Sequence, residues 1–547
     1  MKYMKRTKQL AIVVSLMLVI AISSAYKSDF FEIAKQIEIY TSLFKELNLY
    51  YINETNPAEL TNTAIANMLK DLDPYTQYYD EQGVEKARIN AAGEFGGIGA
   101  DAAIIDKKLI ITEPYEKGPA DKAGLKAGDE ILKINDISID EKTLEDAPSL
   151  LDGTPGSEVT VQISRNGKTL IKTLSMEKVE IDPVPYYHMI DDEVGYIAFI
   201  RFNSKASAQV RNAFEDLEAR GMKRLILDVR GNPGGLLNEA VEITNFFIPK
   251  DETVVTTQAK IKKWSDVYKT KREPLNLEIP VVVLINRLSA SASEILAGSL
   301  QDLDRAVIVG ERSYGKGLVQ RYRSLPYGTQ LKLTISKYYT PSGRCIQELD
   351  YSHREANGKI AKYSDEKINA YKTKNGRTVY DGGGIEPDVK LHQAARTEAT
   401  KALVGSEAIF NYATDFYYRN NEIKDPEQYT FSDTDFQEFL NAIHENRISF
   451  STSTELELQK TLKAAESDGF RENINAEYNQ LTEKLKQEKI KDLMINKNEI
   501  KTLLADEIVK RYFYKKGEYI YKVHNDKAVL EALAIVKDGA KYEGILK

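Results

Sequence analysis

The hydrophobic positions of this chain change their period several times, and each change marks an element. From Phe30 onward, Ile33, Ile37, Tyr40, Phe44 and Leu47 recur at helical spacing, and Leu60, Ala64, Met68 and Leu72 repeat the pattern until Asp73-Pro74 breaks it. The spacing predicts two amphipathic packing helices in an N-terminal helical region, residues 26–92. Between Gly93 and Glu180 the runs become short and β-like: Leu109-Ile-Ile-Thr112, Glu130-Ile-Leu-Lys-Ile-Asn135 and Val159-Thr-Val-Gln-Ile-Ser164, punctuated by Lys126-Ala-Gly-Asp129 and Asp152-Gly-Thr-Pro-Gly156. A compact strand-rich module is expected over 93–180. From Pro183 to Val389 strand-like runs (Val194–Ile200, Arg224–Val229, Ile279–Asn286) alternate with helical ones near Ser207–Arg220 and after Gly235. Such alternation predicts an α/β core with buried strands, residues 183–391, carrying a polar surface excursion at 350–377. Beyond His392 the glycines thin out. There Ile474, Tyr478, Leu481 and Leu485, then Ile500, Leu503, Leu504 and Ile508, predict a helical C-terminal domain over 392–547, its charge runs being solvated helix faces.

A chain of 547 residues is long for one core, and about 150 residues per domain predicts three or four units. The net charge of −7, without a long basic block, gives nucleic-acid binding no support and points to protein or peptide partners. A single cysteine, Cys345, excludes an internal disulfide framework and a cysteine-rich metal site. At the start, Lys2, Lys5, Arg6 and Lys8 precede an uncharged, mostly apolar run from Leu10 to Ala25 that ends in small residues. This is the layout of a secretory signal, residues 1–25, with a cut after Ala25. Retention as a membrane anchor stays open, since sixteen residues fall just below the roughly 17–25 that span a bilayer. Either way the expectation is an exported chain, in the periplasm or cell envelope. The oligomeric state, a homo-oligomer included, is not fixed by the sequence.

Chemistry concentrates in Arg287-Leu-Ser-Ala-Ser-Ala-Ser-Glu-Ile295 and Ser313-Tyr-Gly-Lys-Gly-Leu-Val-Gln320. A Ser-His-Asp triad needs an imidazole, and His188, His353, His392, His444 and His524 all lack a glycine-rich or strand-end setting. Cys345 sits in a turn-like stretch and reads as a buried structural thiol. A Ser-Lys pair needs only a hydroxyl beside an amine that is neutral at working pH, so the lysine must be depressed from about 10.4 by burial or a nearby positive potential. Lys316 has glycines on both sides, Tyr314 and Leu318 to exclude water, and Gln320 to bind the amine without adding charge. Ser291-Ala-Ser-Glu294 is by itself a capping box. A serine at a helix start also places the following N–H groups beside a developing oxyanion, so one residue can be cap and catalyst. The glycine-rich strand end Asp228-Val-Arg-Gly-Asn-Pro-Gly-Gly235 offers a second oxyanion N–H.

Glu94-Phe-Gly-Gly-Ile-Gly-Ala100, Gly118-Pro-Ala-Asp-Lys-Ala-Gly-Leu125 and Ala127–Asn135, in that order, resemble a PDZ domain. In that family a glycine-rich loop, here Phe95, Gly96, Gly97, Ile98 and Gly99, offers N–H groups to a peptide's terminal carboxylate while the adjoining strand pairs with the peptide. From about Asp71 to Val389, through Leu72-Asp-Pro-Tyr-Thr-Gln-Tyr-Tyr79, the PDZ segments, the Asp228 motif, the two segments above and the Gly382 return, the chain resembles a carboxyl-terminal processing peptidase, or tail-specific protease. The resemblance implies Ser291 as nucleophile, Lys316 as general base, Gln320 as its orienting partner, and an oxyanion hole from the amides of Ala292 and of Gly234 or Gly235. It also implies a crotonase-like α/β protease core with an inserted or preceding PDZ domain that senses the substrate's C-terminus. The expectation is an exported serine endopeptidase acting on proteins or peptides with accessible C-termini, without metal or organic cofactor. Two rivals stand beside it: a catalytically inactive PDZ adaptor of the cell envelope, and a hydrolase of wall peptides or other non-protein esters. Intact Ser291, Lys316 and Gln320 count against the first, and a reader of peptide tails would be wasted on the second. The resemblance says nothing of residues beyond about His392.

Overall fold

The computed structural model describes residues 30–140, 143–144, 147–354, 359–363, 368–391 and 395–547. The export segment, residues 1–25, lies outside them. Among the described residues no helix is long and apolar enough to cross a membrane. The chain divides into two units, Met1–Tyr78 and Tyr79–Lys547. The first holds a helix over residues 30–50 and the helix Pro57–Lys70. Asn56 caps the second by accepting the N–H groups of Ala58 and Glu59, and Pro57 occupies the first helical position, where its missing N–H costs nothing.

In the second unit, the antiparallel strands Ala100–Ile105, Lys108–Pro114, Glu130–Ile134, Glu158–Arg165 and Lys168–Ser175 form a sheet in that spatial order. Their alternating residues, among them Leu109, Ile111, Ile131, Val159, Val161 and Ile163, close one small core. Ala100–Ile105 lies at the edge of this sheet.

A six-stranded sheet follows, ordered Tyr186–Met189, Val194–Ala198, Arg224–Asp228, Val281–Ile285, Val307–Gly310, Val389–Lys390. The first pair is antiparallel and the rest are parallel. Parallel strands need covering on both faces, and the alternation of side chains shows how it is met. Leu225, Leu227, Val281, Val283 and Ile285 pack with the helices Ala206–Ala219, Leu237–Thr244 and Ala292–Asp302. Ile226, Val282, Leu284, Val307 and Val309 pack instead with Val529, Ala532, Ile535 and Val536 of the helix Lys527–Lys537. The last helices of the chain thus complete the core that the central segment begins. The rest of the C-terminal segment is helical, from Glu398–Val404 to Lys497–Asn525, with its own apolar cluster around Tyr412, Phe436, Phe439 and Leu504.

A second, antiparallel sheet containing Thr253–Ala259, Asp266–Lys269, Gln330–Tyr339 and Leu318–Ser324 was not anticipated. The excursion at 350–377 includes the hairpin strands Leu349–Arg354 and Ile360–Lys362. Its last residue is no surface group: Arg377 is bound to Asp304 and Asp388, both at 2.6 Å, and is largely buried.

Candidate active site

Ser291 stands where the buried strand Val281–Ile285 gives way to the helix Ala292–Asp302. Its φ of +55° and ψ of −111° belong to a conformation that costs a non-glycine residue on the order of 1–3 kcal/mol and persists only when the surroundings over-determine it. Three bonds do so. The Ser291 N–H donates to Glu294 Oε2 at 2.7 Å, the hydroxyl of buried Tyr338 donates to the Ser291 carbonyl at 3.2 Å, and the preceding Ala290 N–H donates to the Asn232 carbonyl at 3.0 Å. Ala292, as first helical residue, has an N–H without an intrahelical acceptor, and the positive end of the helix lies beside the serine.

The neighbouring serines differ. Ser289 and Ser293 are fully buried and committed: Ser289 Oγ donates to the Val229 carbonyl at 2.8 Å and accepts the Asn286 N–H, and Ser293 Oγ donates to the Asn232 carbonyl at 2.9 Å. Ser291 is half-buried.

Glu294 joins the serine turn to the lysine loop. Its fully buried carboxylate receives four bonds: Oε1 accepts the Ser313 hydroxyl at 2.5 Å and the Gly315 N–H at 2.6 Å, while Oε2 accepts the N–H groups of Ser291 and Lys316, the latter at 2.9 Å. Burial pushes this carboxyl above its ordinary range, with the four donors pulling the other way. The glycines around Lys316 permit close packing. A Cβ on Gly315, at φ +85°, would lie 2.6 Å from the Glu348 Cβ, and one on Gly317 would lie 2.8 Å from the Gln347 nitrogen. Lys316 itself is half-buried. Gln320 lies in the strand Leu318–Ser324, and its amide donates to Thr334 Oγ1 across the sheet at 3.2 Å.

The Asp228–Gly235 loop lies directly against the serine. A Cβ on Gly234, at φ +92°, would fall 2.6 Å from the Ala290 oxygen, 2.8 Å from the Ala292 nitrogen and 3.0 Å from the Ser291 Cβ. The two glycines are not equivalent as oxyanion donors, however. The Gly234 N–H donates to Asn232 Oδ1 at 2.9 Å, so the expectation narrows to Gly235. Asn232, fully buried, joins this loop to the serine turn, and no sequence motif signals it. Its side-chain amide also donates to the Phe199 carbonyl, and its carbonyl accepts from Ala290 and Ser293. At the loop's start Arg230 forks onto Asp228, with Nη2 at 2.7 Å from Oδ2. Burial pushes the Asp228 carboxyl up, but Arg230 outweighs it and leaves it below its ordinary value.

Other expected groups lie elsewhere. His188 is on the first sheet strand, His444 is beside Glu483 and His524 beside Glu427, while the His353 side chain and His392 fall outside the described residues. Cys345 is half-buried, and burial raises its thiol, which disfavours the nucleophilic thiolate.

The glycine loop of the strand-rich domain departs from an open cradle. Phe95, Gly96 and Gly97 pair with Val179, Lys178 and Glu177, and the Ile98 N–H donates to the Leu151 carbonyl at 3.1 Å. That amide is therefore already committed, and Gly99, at φ +68°, turns the chain into the edge strand Ala100–Ile105. Along that edge opens a cavity of about 1520 Å³, bordered by Phe95, Ala100 and Tyr115, by Pro233 of the Asp228–Gly235 loop, and by Lys515 and Asp526 of the C-terminal helices. Its lining takes in Gly231, Pro233 and Asn286 but neither Ser291 nor Lys316.

Comparison with known proteins matches three parts of this arrangement. Residues 193–352 match peptidase family S41, residues 110–165 match a PDZ domain, and residues 399–536 match a family described as "Probable PDZ-protease, C-terminal helical domain". A solved structure of a photosystem II D1 C-terminal processing protease overlaps 64% of this chain and 92% of its own, at 26% identity and a TM-score of 0.36. The chain is 34% identical over 310 residues to a "Probable CtpA-like serine protease" of Staphylococcus aureus (strain MRSA252), covering 56% of this chain and 61% of that protein. It is 36% identical over 321 residues to the carboxy-terminal-processing protease of Bartonella bacilliformis, covering 57% of this chain and 73% of that protein. With that share of a protease matched, and with the serine turn, the lysine loop and the PDZ sheet all present, the chain belongs to peptidase family S41, among its PDZ-bearing carboxy-terminal-processing serine proteases.

Proposed function

We propose that the chain is an exported Ser-Lys endopeptidase that takes protein or peptide substrates by their C-termini and cleaves them through an acyl-enzyme on a crotonase-like core. The observation that carries this reading is the shared Glu294 carboxylate, which holds the main chains of Ser291 and Lys316 on a single oxygen. In the proposed reaction Ser291 Oγ attacks the scissile carbonyl carbon as its proton passes to the neutral Lys316 amine. The oxyanion that forms is met by the N–H groups of Ala292 and Gly235, with Gln320 orienting Lys316. Collapse breaks the C–N bond, and the departing amine takes the proton from Lys316. Water then attacks the ester with Lys316 again as base, which frees the acid and restores the serine.

The edge strand Ala100–Ile105 is the element of the PDZ domain suited to recognition. An extended peptide would add to it as a further strand, its side chains entering the cavity alongside. The charged start and apolar Leu10–Ala25 run support export, either as a cleaved leader or as an anchor.

Casein hydrolysis should be lost in Ser291→Ala and Lys316→Ala and persist in the folded fraction of Ser289→Ala. Wild type no more active than Ser291→Ala would leave the adaptor reading instead, and activity unchanged in Ser291→Ala would overturn Ser291 as nucleophile. Peptides with free and amidated C-termini test tail recognition, and equal cleavage of both would overturn it.

A further inference from the structure

An ion pair links the C-terminal helices to the Asp228–Gly235 loop. Arg230, which opens the Gly231–Gly235 loop, places Nη1 at 2.8 Å from Asp526 Oδ1 while its other nitrogens fork onto Asp228. Asp526 is itself fixed. The same Oδ1 caps the helix Lys527–Lys537 by accepting the N–H groups of Ala528 and Val529 at 3.0 and 3.1 Å, and that helix is packed on the central sheet. The loop continues with the Gly231 N–H on Asn286 Oδ1 and reaches Gly234, against the Ser291 turn.

The segment that ends at Asp526 begins at a strained residue. Within Lys497–Asn525 the helix breaks at Phe513 and Tyr514, and Tyr514 has φ +55° and ψ −166°, a region essentially reserved for glycine. Such a conformation needs outside support. The Tyr514 hydroxyl donates to Asp121 Oδ1 of the PDZ domain at 2.6 Å, and Gly517 gives Phe513 room, since a Cβ there would lie 2.3 Å from the Phe513 Cβ. One short helical piece therefore touches the PDZ domain at its first residue and the oxyanion-side loop at its end.

We infer that the C-terminal helical domain supplies a positioning residue, Asp526, to the catalytic centre, and that the segment Tyr514–Asp526 couples the placement of the PDZ domain to the Gly231–Gly235 loop. Release of Asp121 from Tyr514 removes the support for the break, lets the helix relax toward regular geometry, and shifts the carboxylate that holds Arg230. The inference rests on the Ser291 reading of the active site.

The test uses Asp526→Asn, which keeps a capping side chain while removing the charge, Tyr514→Phe, which removes only the hydroxyl, and their combination. Amide exchange is measured in these variants on a Ser291→Ala background, so that this readout is independent of catalysis. Faster exchange at Gly231–Gly235, with the helix Ala206–Ala219 unchanged, is expected in each. With Ser291 restored, kcat on casein should fall about ten- to a hundredfold with KM nearly constant, as expected for misplaced catalytic groups. The double variant should be no worse than the more affected single one, because both act through one segment. Unchanged loop exchange, a KM effect at constant kcat, or additive losses would each overturn the proposal. Hydrolysis by the wild type above the Ser291→Ala blank tests the dyad separately.

Discussion

Ser291 and Lys316 donate their main-chain N–H groups to the same oxygen, Oε2 of Glu294, at 2.7 and 2.9 Å. The two loops are thereby held within two hydrogen-bond lengths of each other by an atom that takes no part in the proposed reaction. The other oxygen binds Ser313 and Gly315, so the lysine loop is held at three points by one carboxylate. A fully buried carboxylate facing four donors is costly to alter: neutralising it removes charge-assisted bonds, and deleting it strands the donors.

Glu294→Gln should therefore keep the fold and lose turnover. The amide matches the carboxylate in size, but whichever way it is turned its NH2 group faces at least one backbone N–H, of Gly315 on one side or of Ser291 and Lys316 on the other, that cannot accept from it. A fall in kcat of about 10²-fold with a smaller change in KM is expected, since misplacing a catalytic pair by an ångström costs about this much. Steady-state kinetics with circular dichroism as a fold control checks it.

The same carboxyl gives activity and stability opposite responses to acid. Because burial raises its folded pKa above the unfolded value, the contribution of Glu294 to stability is complete below the ordinary carboxyl pKa and declines as pH rises through the raised one. Catalysis needs the ionised form, which alone accepts all four bonds. As pH falls through the raised value, kcat should drop while the stability of wild type relative to Glu294→Gln increases. Parallel profiles of kcat and of the denaturation midpoint against pH would reveal the crossing.

Gly234→Ala should be among the most damaging small substitutions in the chain. The added methyl would meet the Ala290 oxygen at 2.6 Å and the Ala292 nitrogen at 2.8 Å, and φ of +92° strains any L-residue. Both effects push the oxyanion-side loop off the serine turn, so kcat should fall by roughly 10²–10³-fold, the loss typical of a removed oxyanion donor. Gly156→Ala is the control, because nothing lies within 4 Å of its Cβ position while its φ of +90° is similar. The stability lost there measures the strain alone, and the larger loss expected in Gly234→Ala measures the clash.

The sequence made some of this arrangement visible and hid the rest for a physical reason. Val281–Ile285 and Arg224–Asp228 are apolar runs because both faces of a parallel sheet are buried, and their ends mark where the loops must lie. A capping box fully explains Glu294 within four residues, whereas its bond to Lys316 spans 22 and leaves no local trace. Asp526 and Arg230 are 296 positions apart, and no local pattern relates them. The helical period of Val529, Ala532 and Val536 announces an apolar face without saying which surface it covers. The strand Gln330–Tyr339 carries alternating Leu331, Leu333 and Ile335, but its neighbour Leu318–Ser324 is half polar and shifts register between Val319 and Gln320, so the sheet they form has no uniform period to announce it.

Asp506, one helical segment before the Tyr514 break, should be a destabilising charge at alkaline pH. Burial pushes its carboxyl up to about 7, Lys522 at 4.0 Å draws it down without compensating, and Glu518 and Asp526 add to the rise. Its Oδ1 is buried without a hydrogen-bond partner. A raised folded pKa means that this group's favourable contribution is complete below the ordinary aspartate value and is lost as pH rises through about 7. Above that, folding must bury an anion with one oxygen unsatisfied. Asp506→Asn keeps the shape and removes the charge, so it should match wild type at about pH 5 and exceed it by on the order of 1 kcal/mol at about pH 8.5. Urea denaturation at the two pH values decides the point. A variant less stable than wild type at the higher pH would mean that the attraction to Lys522 outweighs the cost of burying the charge.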